Sequence, residues 1–251
     1  MDNVVAALED QQVELTDLVA GLDEAGWQAT SRCPGWSVAD VVLHLAQTNE
    51  MAMASLEGRM AEFLAEAYAG LPPVADVDEG AALMVDRERG RPPAEVFARW
   101  RDGASTLLAA FDATDLGTRV TWVAGDLTAR TLATTRLAET WIHTGDVAAG
   151  LGVELEPTDR LWHIARLAWR TLPYAFAREG RQLSGPVRFE LRAPNGDTWV
   201  FSGDEEPVTT VSGDAAVLCD VAARRLPGAE SGLRADGPDA AAVLELVRTF
   251  A

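Results

Sequence analysis

The sequence predicts a mainly α protein that ends in a small α+β domain, and three observations carry that prediction. Apolar residues recur at three- and four-residue spacing through the first two-thirds of the 251-residue chain. After Gly185 the pattern changes to alternation with a period of two. No long Pro- or Ser-rich linker and no internal repeat intervenes, so a helical bundle over residues 1–180 is expected to pack against a small α+β module over 181–251.

Each element has its own signal. Val4, Ala7, Leu8, Leu15, Leu18 and Val19 mark an amphipathic helix over 3–22, which the segment from Gly26-Trp27 to Pro34-Gly35 interrupts. Ser37 with Asp40 three residues later reads as a capping box, opening a helix through Val41, His44, Leu45 and Thr48 toward Tyr68, before Gly70-Leu71-Pro72-Pro73. Pro92-Pro93 opens a third helix over 94–111, with Val96, Phe97, Trp100, Leu107, Leu108 and Phe111 on its apolar side. Thr118 to Val123 reads as extended. A further helix covers 128–149 and is closed by Gly150 and Gly152, and 159–178 is helical with a kink at Pro173. Val187 to Arg192 and Thr198 to Phe201 flank Pro194-Asn195-Gly196-Asp197, a hairpin signature. Val208 to Val211 supplies a third strand, and helices over 214–226 and 238–249 close the chain.

Composition works by exclusion. The 39 acidic residues outnumber 21 basic ones, for a formal net charge of -18, and all of the basic residues are arginine. So acidic a chain repels phosphate backbones, and its longest basic cluster is the Arg224-Arg225 pair, so nucleic acid is not an expected partner. Without lysine there is no Schiff-base chemistry and no pyridoxal phosphate attachment. Cys33 and Cys219 are too few for a disulfide framework or a four-cysteine zinc site. The start Met1-Asp2-Asn3 has no basic or apolar leader character, and no apolar run approaches the ~20 residues that span a bilayer. These readings point to a cytoplasmic protein with no membrane partner, as a monomer or homodimer.

The sequence holds three histidines, so their placement is informative. Glu139 and His143 stand four apart on one helix, so their side chains emerge on one face about a turn apart. His44 lies on a different helix, and a bundle can bring the two face to face. Two imidazoles and one carboxylate can hold a divalent ion and leave a fourth position open, the arrangement of a catalytic zinc site. The same spacing also arises as a solvated Glu–His pair, and His44 alone reads as a hydrogen-bonded core histidine.

The segment from Cys33-Pro34-Gly35-Trp36-Ser37 through His44-Leu45, followed by Glu139-Thr140-Trp141-Ile142-His143-Thr144-Gly145-Asp146 and its continuation to Gly152, resembles the mycothiol-dependent maleylpyruvate isomerase family. That family belongs to the wider DinB-like group of metal-binding four-helix bundles. The C-terminal hairpin and the Gly213-Asp214-Ala215-Ala216 helix start are similar to the sterol-carrier-like α+β module that accompanies such bundles. The resemblance implies that His44, Glu139 and His143 are metal ligands, with zinc as the ion. It implies mycothiol as a thiol cosubstrate, delivered to a small electrophile in an isomerisation or S-transfer. A thiol of ordinary pKa near ~8.5 is deprotonated outright when a metal coordinates it, so the implied chemistry agrees with the residues. The family's C-terminal module can contribute an arginine, which makes Arg224 and Arg225 catalytic candidates beside a helix-end role. The chain departs from the family at Thr144-Gly145, where a bulky residue is common, and the resemblance therefore does not carry the substrate across.

Other side chains have two readings each. Asp146 is a candidate to orient a ligand histidine, or a partner for nearby backbone or a loop arginine. Arg136 is a candidate to neutralise an anionic cofactor or substrate, or a partner for a surface carboxylate. Cys33 is a minor candidate for a fourth ligand, and His163 reads as structural. Asp204-Glu205-Glu206 reads as a solvated turn. Two other functions stay open on the sequence alone. One is a metal-dependent hydrolase of a small molecule; the other is a metal- or ligand-binding protein without catalysis, its metal purely structural in the limiting case.

Overall fold

The structure, a computed structural model, describes residues 3–123 and 125–249. The chain divides into two compact units, Asn3–Leu155 and a second whose described part is 156–249.

Four long helices make the first unit: α1 (Val4–Val19), α3 (Val38–Leu56), α6 (Pro93–Asp112) and α7 (Ala129–Leu151), with short helices α2 (Glu24–Gln28), α4 (Met60–Ala67) and α5 (Val77–Glu88) between them. They pack as a closed cycle, α3 on α6, α6 on α1, α1 on α7 and α7 on α3, which is the expected four-helix bundle. Its core stacks Leu15 and Val19 of α1, Val41, Val42 and Leu45 of α3, Trp100 of α6 and Val147 of α7.

Local chemistry explains where these helices start and stop. The Asn3 side chain accepts from the backbone N–H of Val5 and Ala6 at the head of α1. The Ser37–Asp40 capping box is present at the head of α3, as its spacing predicts. Pro93 opens α6, Thr128 caps α7, and Gly152 ends α7 in the left-handed region.

Two expectations change in this unit, and one helix appears that the sequence did not announce. The helix expected from Ser37 toward Tyr68 breaks after Leu56, where Gly58 turns left-handed (φ 72°) and α4 starts anew at Met60. The α5 helix had no apolar stripe to announce it: it buries only Gly80, Met84 and Val85 among its charged residues. The extended stretch at 118–123 contracts to β1 (Arg119–Val120), paired antiparallel with β2 (Leu127–Thr128).

The second unit begins with α8 (Leu161–Arg170) and α9 (Leu172–Arg178), then runs β3 (Val187–Arg192), β4 (Thr198–Phe201), β5 (Thr209–Asp214), α10 (Ala215–Ala222), β6 (Arg234–Asp236) and α11 (Ala240–Leu246). Strand order is β4-β3-β5-β6. The β3–β4 hairpin is antiparallel, as Asn195-Gly196 predicts, while β5 lies parallel to β3 and β6 antiparallel to β5. Val187, Phe189, Leu191, Trp199, Phe201 and Val211 form its buried face.

The boundary between the units lies near Leu155 and not at residue 180. The reason is packing: α8 lies on α10 and on strands β3 and β4, and Trp169 Nε1 donates to the Val187 carbonyl at 2.8 Å. The helical pair at 161–178, divided at Thr171 with Pro173 in the first turn of α9, therefore belongs to the sheet. No helix among the described residues is long and apolar enough to cross a membrane.

Candidate metal centre

Helices α3 and α7 lie side by side in the bundle and bring His44, Glu139 and His143 together. His44 Nε2 is 3.6 Å and His143 Nε2 is 3.7 Å from the same oxygen, Glu139 Oε2. The two imidazoles meet edge to face, with centroids 4.8 Å apart. These separations are too wide for hydrogen bonds. They are close to the ~3.3 Å edge of a tetrahedron whose ion–ligand bonds are about 2.05 Å long. Three donor atoms converge without bonding one another, so the residues fit a divalent ion.

Exposure shows which way the centre opens. The His44 and His143 side chains are 9% and 12% exposed, against 24% for Glu139, so solvent reaches the carboxylate side. The Trp36 ring stands 5.2 Å from that of His44.

Electrostatics suit the ligand roles. Burial pushes the His44 pKa down, as do the charges of His143 and Arg136, while Glu139 opposes them; the imidazole is therefore neutral at neutral pH. Burial alone would push Glu139 up, but the His44 side chain and the charges of His143 and Arg136 hold it down at about 2. An ionised carboxylate and a neutral imidazole are the forms that bind metal.

Behind His143 lies a second layer. Its Nδ1 is 3.0 Å from Asp146 Oδ2, and the Cys33 thiol donates to the same oxygen at 3.1 Å. Asp146, 1% exposed, thus sits where a carboxylate orients a ligand histidine, with Nε2 left to face the ion. Cys33 is 3.7 Å from Nδ1, on the far side of the ring from Glu139, and is not part of the His44/Glu139/His143 group. It is therefore not a fourth ligand for that ion, because it meets the wrong nitrogen.

The loop that carries Cys33 is pinned from both ends. Ser31 N–H donates to the Trp36 carbonyl, Trp36 N–H to that of Cys33, and Arg32 N–H to the Asp146 carbonyl on α7. Gly35 turns left-handed at φ 78°. A Cβ on Gly150 would lie 2.5 Å from the Thr30 carbonyl oxygen, so only glycine lets α7 and this loop touch.

The remaining candidates are dispersed. Arg136 is 1% exposed and meets no surface carboxylate: its Nη2 donates to Thr48 Oγ1 at 2.8 Å and Asn49 Oδ1 at 3.4 Å. Its Nε is buried without a partner. Burial lowers its pKa, and Glu139 partly opposes this. Thr144 is buried, accepts from Gln11 Nε2 on α1 and donates to the Thr140 carbonyl, so the family departure at this position faces the bundle core. Arg224 and Arg225 follow α10 in the second unit, where they donate to the carbonyls of Glu245 and Ala223. His163 packs edge-on against Trp162 there.

Comparison with known proteins agrees with this architecture. A family model described as the mycothiol maleylpyruvate isomerase N-terminal domain matches residues 8–148. Two uncharacterised proteins of Mycobacterium tuberculosis, from strains CDC 1551 / Oshkosh and ATCC 25618 / H37Rv, are each 33% identical over 98% of this chain and 95% of their own length. The crystal structure of the mycothiol-dependent maleylpyruvate isomerase superposes with a TM-score of 0.59 at 18% identity, covering 94% of both chains. A mutant of the same enzyme gives 0.58 with equal coverage. The family model spans the bundle from α1 through His143 and Asp146, the stretch that holds every residue of the centre; the chain belongs to the mycothiol maleylpyruvate isomerase family.

Proposed function

We propose that this protein is a metal-dependent enzyme, with zinc as the ion, that uses a low-molecular-weight thiol such as mycothiol in isomerisation of, or S-transfer to, a small electrophile. The observation that carries the reading is the convergence of His44, Glu139 and His143 at ion-ligand spacing. The names of the family and of the superposable isomerase support the thiol.

A zinc ion in this centre supplies Lewis acidity, which turns a bound thiol into a nucleophile at neutral pH. The chain's own residues prepare for that chemistry. Buried, neutral His44 offers a lone pair without losing a proton first. Glu139 brings the one negative charge of the ligand set. Asp146 accepts the Nδ1 proton of His143 and so fixes the tautomer whose Nε2 is free to bind. Arg136, one turn before Glu139, gives the centre a fixed positive charge that favours anionic cofactors or substrates. Arg224 and Arg225 are the candidates in the second unit for binding a substrate carboxylate, with their carbonyl bonds released on binding. Cys33 and Cys219 are not joined in a disulfide, in keeping with a cytoplasmic site of action.

The test is metal analysis followed by calorimetric titration with mycothiol. We expect near-stoichiometric zinc, its loss in His143→Ala, and saturable thiol binding that needs the metal. A protein purified without any divalent ion would overturn the enzyme reading. A metalloprotein indifferent to thiols would replace it with metal-activated hydrolysis or with binding alone.

A further inference from the structure

His143 has a second cluster of donors on its other edge. Its Nδ1, Cys33 Sγ and Asp146 Oδ2 lie mutually close: 3.7 Å from nitrogen to sulfur, 3.1 Å from sulfur to oxygen and 3.0 Å from nitrogen to oxygen. An ion bound at ordinary zinc-like lengths, about 2.3 Å to sulfur and 2.0–2.1 Å to nitrogen and oxygen, would subtend angles of roughly 90–120° across those separations. A thiolate, an imidazole and a carboxylate make a donor set for a thiophilic divalent cation. The three are preorganised, since His143 and Asp146 are one turn apart on α7 and the Cys33 loop is bonded to the Asp146 carbonyl through Arg32 N–H. Cys33 is half-buried, which gives the cluster a path to solvent.

We infer that Cys33, Asp146 and Nδ1 of His143 form a second, alternative site for a thiophilic divalent cation, which competes with the His44/Glu139/His143 centre for one imidazole. In the ion-free protein two protons hold the cluster together, the S–H and the Nδ1–H that both point to Asp146. When the cation binds, the sulfur proton leaves to solvent and the ring proton moves from Nδ1 to Nε2. The bonds formed are cation to sulfur, nitrogen and oxygen; nothing is oxidised. An Nε2–H cannot ligate; it faces the Glu139 carboxylate, whose Oε2 lies 3.7 Å away. One ring therefore serves one ion at a time. The first centre selects borderline ions through nitrogen and oxygen, and the second captures softer ones through sulfur.

The experiment uses chelator-stripped full-length protein without added thiol, titrated with Co2+ and with Cd2+. Cobalt should give a sulfur-to-cobalt charge-transfer band in the near ultraviolet, stronger in His44→Ala, where the first centre is dismantled. The band should vanish in Cys33→Ser and persist in Cys219→Ser, and prior zinc loading of the native protein should suppress it. Cys33→Ser should also weaken Cd2+ by at least about tenfold. As a second measurement, Cd2+ should protect Cys33 from alkylation in the native and His44→Ala proteins but not in Asp146→Ala, read by mass spectrometry. Cobalt bound with no charge-transfer band in either the native or His44→Ala protein would overturn the inference, as would a band that survives Cys33→Ser. Failure of the first centre shows separately, as zinc stoichiometry that His44→Ala leaves unchanged in the Cys33→Ser background, where the second site is gone.

Discussion

His44 and Glu139 are kept in ligand-ready protonation states by opposing effects, and this makes the metal-free protein sensitive to acid in two windows. His44 titrates below 6.5 in the folded protein, so between that pH and its lowered folded value the unfolded chain binds more protons. Stability should therefore fall as pH drops from 6.5, with no contribution from this group above it. Glu139 acts lower: its folded pKa of about 2 lies below the ordinary 4.5, so its stabilisation is complete above 4.5 and lost as pH falls toward 2. Urea denaturation of metal-free protein at a series of pH values checks this, and His44→Gln should remove the first decline and shrink the second, because the His44 side chain helps hold Glu139 down. Asp146 is the other single residue with a sharp consequence. Asp146→Asn keeps the shape but removes the charge that holds the His143 Nδ1 proton, and should weaken zinc about 10- to 100-fold without unfolding the bundle. Chelator competition reads that number. An unchanged affinity would mean the 3.0 Å contact is structural and not orienting.

At the scale of elements, the contact between α7 and the Cys33 loop decides whether the centre is rigid. Gly150 lies in the last turn of α7, where alanine would ordinarily improve helix propensity by about 1 kcal/mol. Here the added methyl group would meet the Thr30 carbonyl and the Ser31 Cα, backbone that cannot swing aside. Overpacking of this kind costs about 1–3 kcal/mol, so the clash should win and Gly150→Ala should be destabilising. Thermal unfolding gives the sign, and zinc affinity should fall with it as the loop retreats from Asp146. The Ser37 capping box is a milder case, with Ser37→Ala expected to cost about 1 kcal/mol.

The same contact explains what was legible in the sequence. Caps, prolines and i,i+4 spacing are local, so the four long helices and the pairing of Glu139 with His143 could be read directly, and the bundle motif then supplied His44. Cys33 and Asp146 are 113 positions apart and meet only because a glycine lets two backbones touch. No periodicity encodes that. The α5 helix was hidden by its charge, β6 by a length of three residues, and the unit boundary by helices whose apolar faces suit a sheet as well as a bundle.

At the scale of the whole molecule, the two units can be tested separately because the candidate metal ligands are confined to one of them. His44, Glu139 and His143, with Cys33, Arg136 and Asp146 around them, all fall within Asn3–Leu155. That unit has its own core of α1, α3, α6 and α7 side chains, and its last helix is closed by Gly152 just before the boundary. Residues 1–155 expressed alone should therefore fold as a helical bundle and bind zinc within about tenfold of the full chain, a difference of ~1.4 kcal/mol. The Asp146→Asn defect should transfer to the fragment unchanged, since every partner of that effect is present. Zinc affinity of the folded fragment, measured by chelator competition, separates the possibilities. If a fragment with native-like helical circular dichroism loses zinc altogether, a ligand must come from residues 156–251, and the three-residue centre proposed from His44, Glu139 and His143 is incomplete.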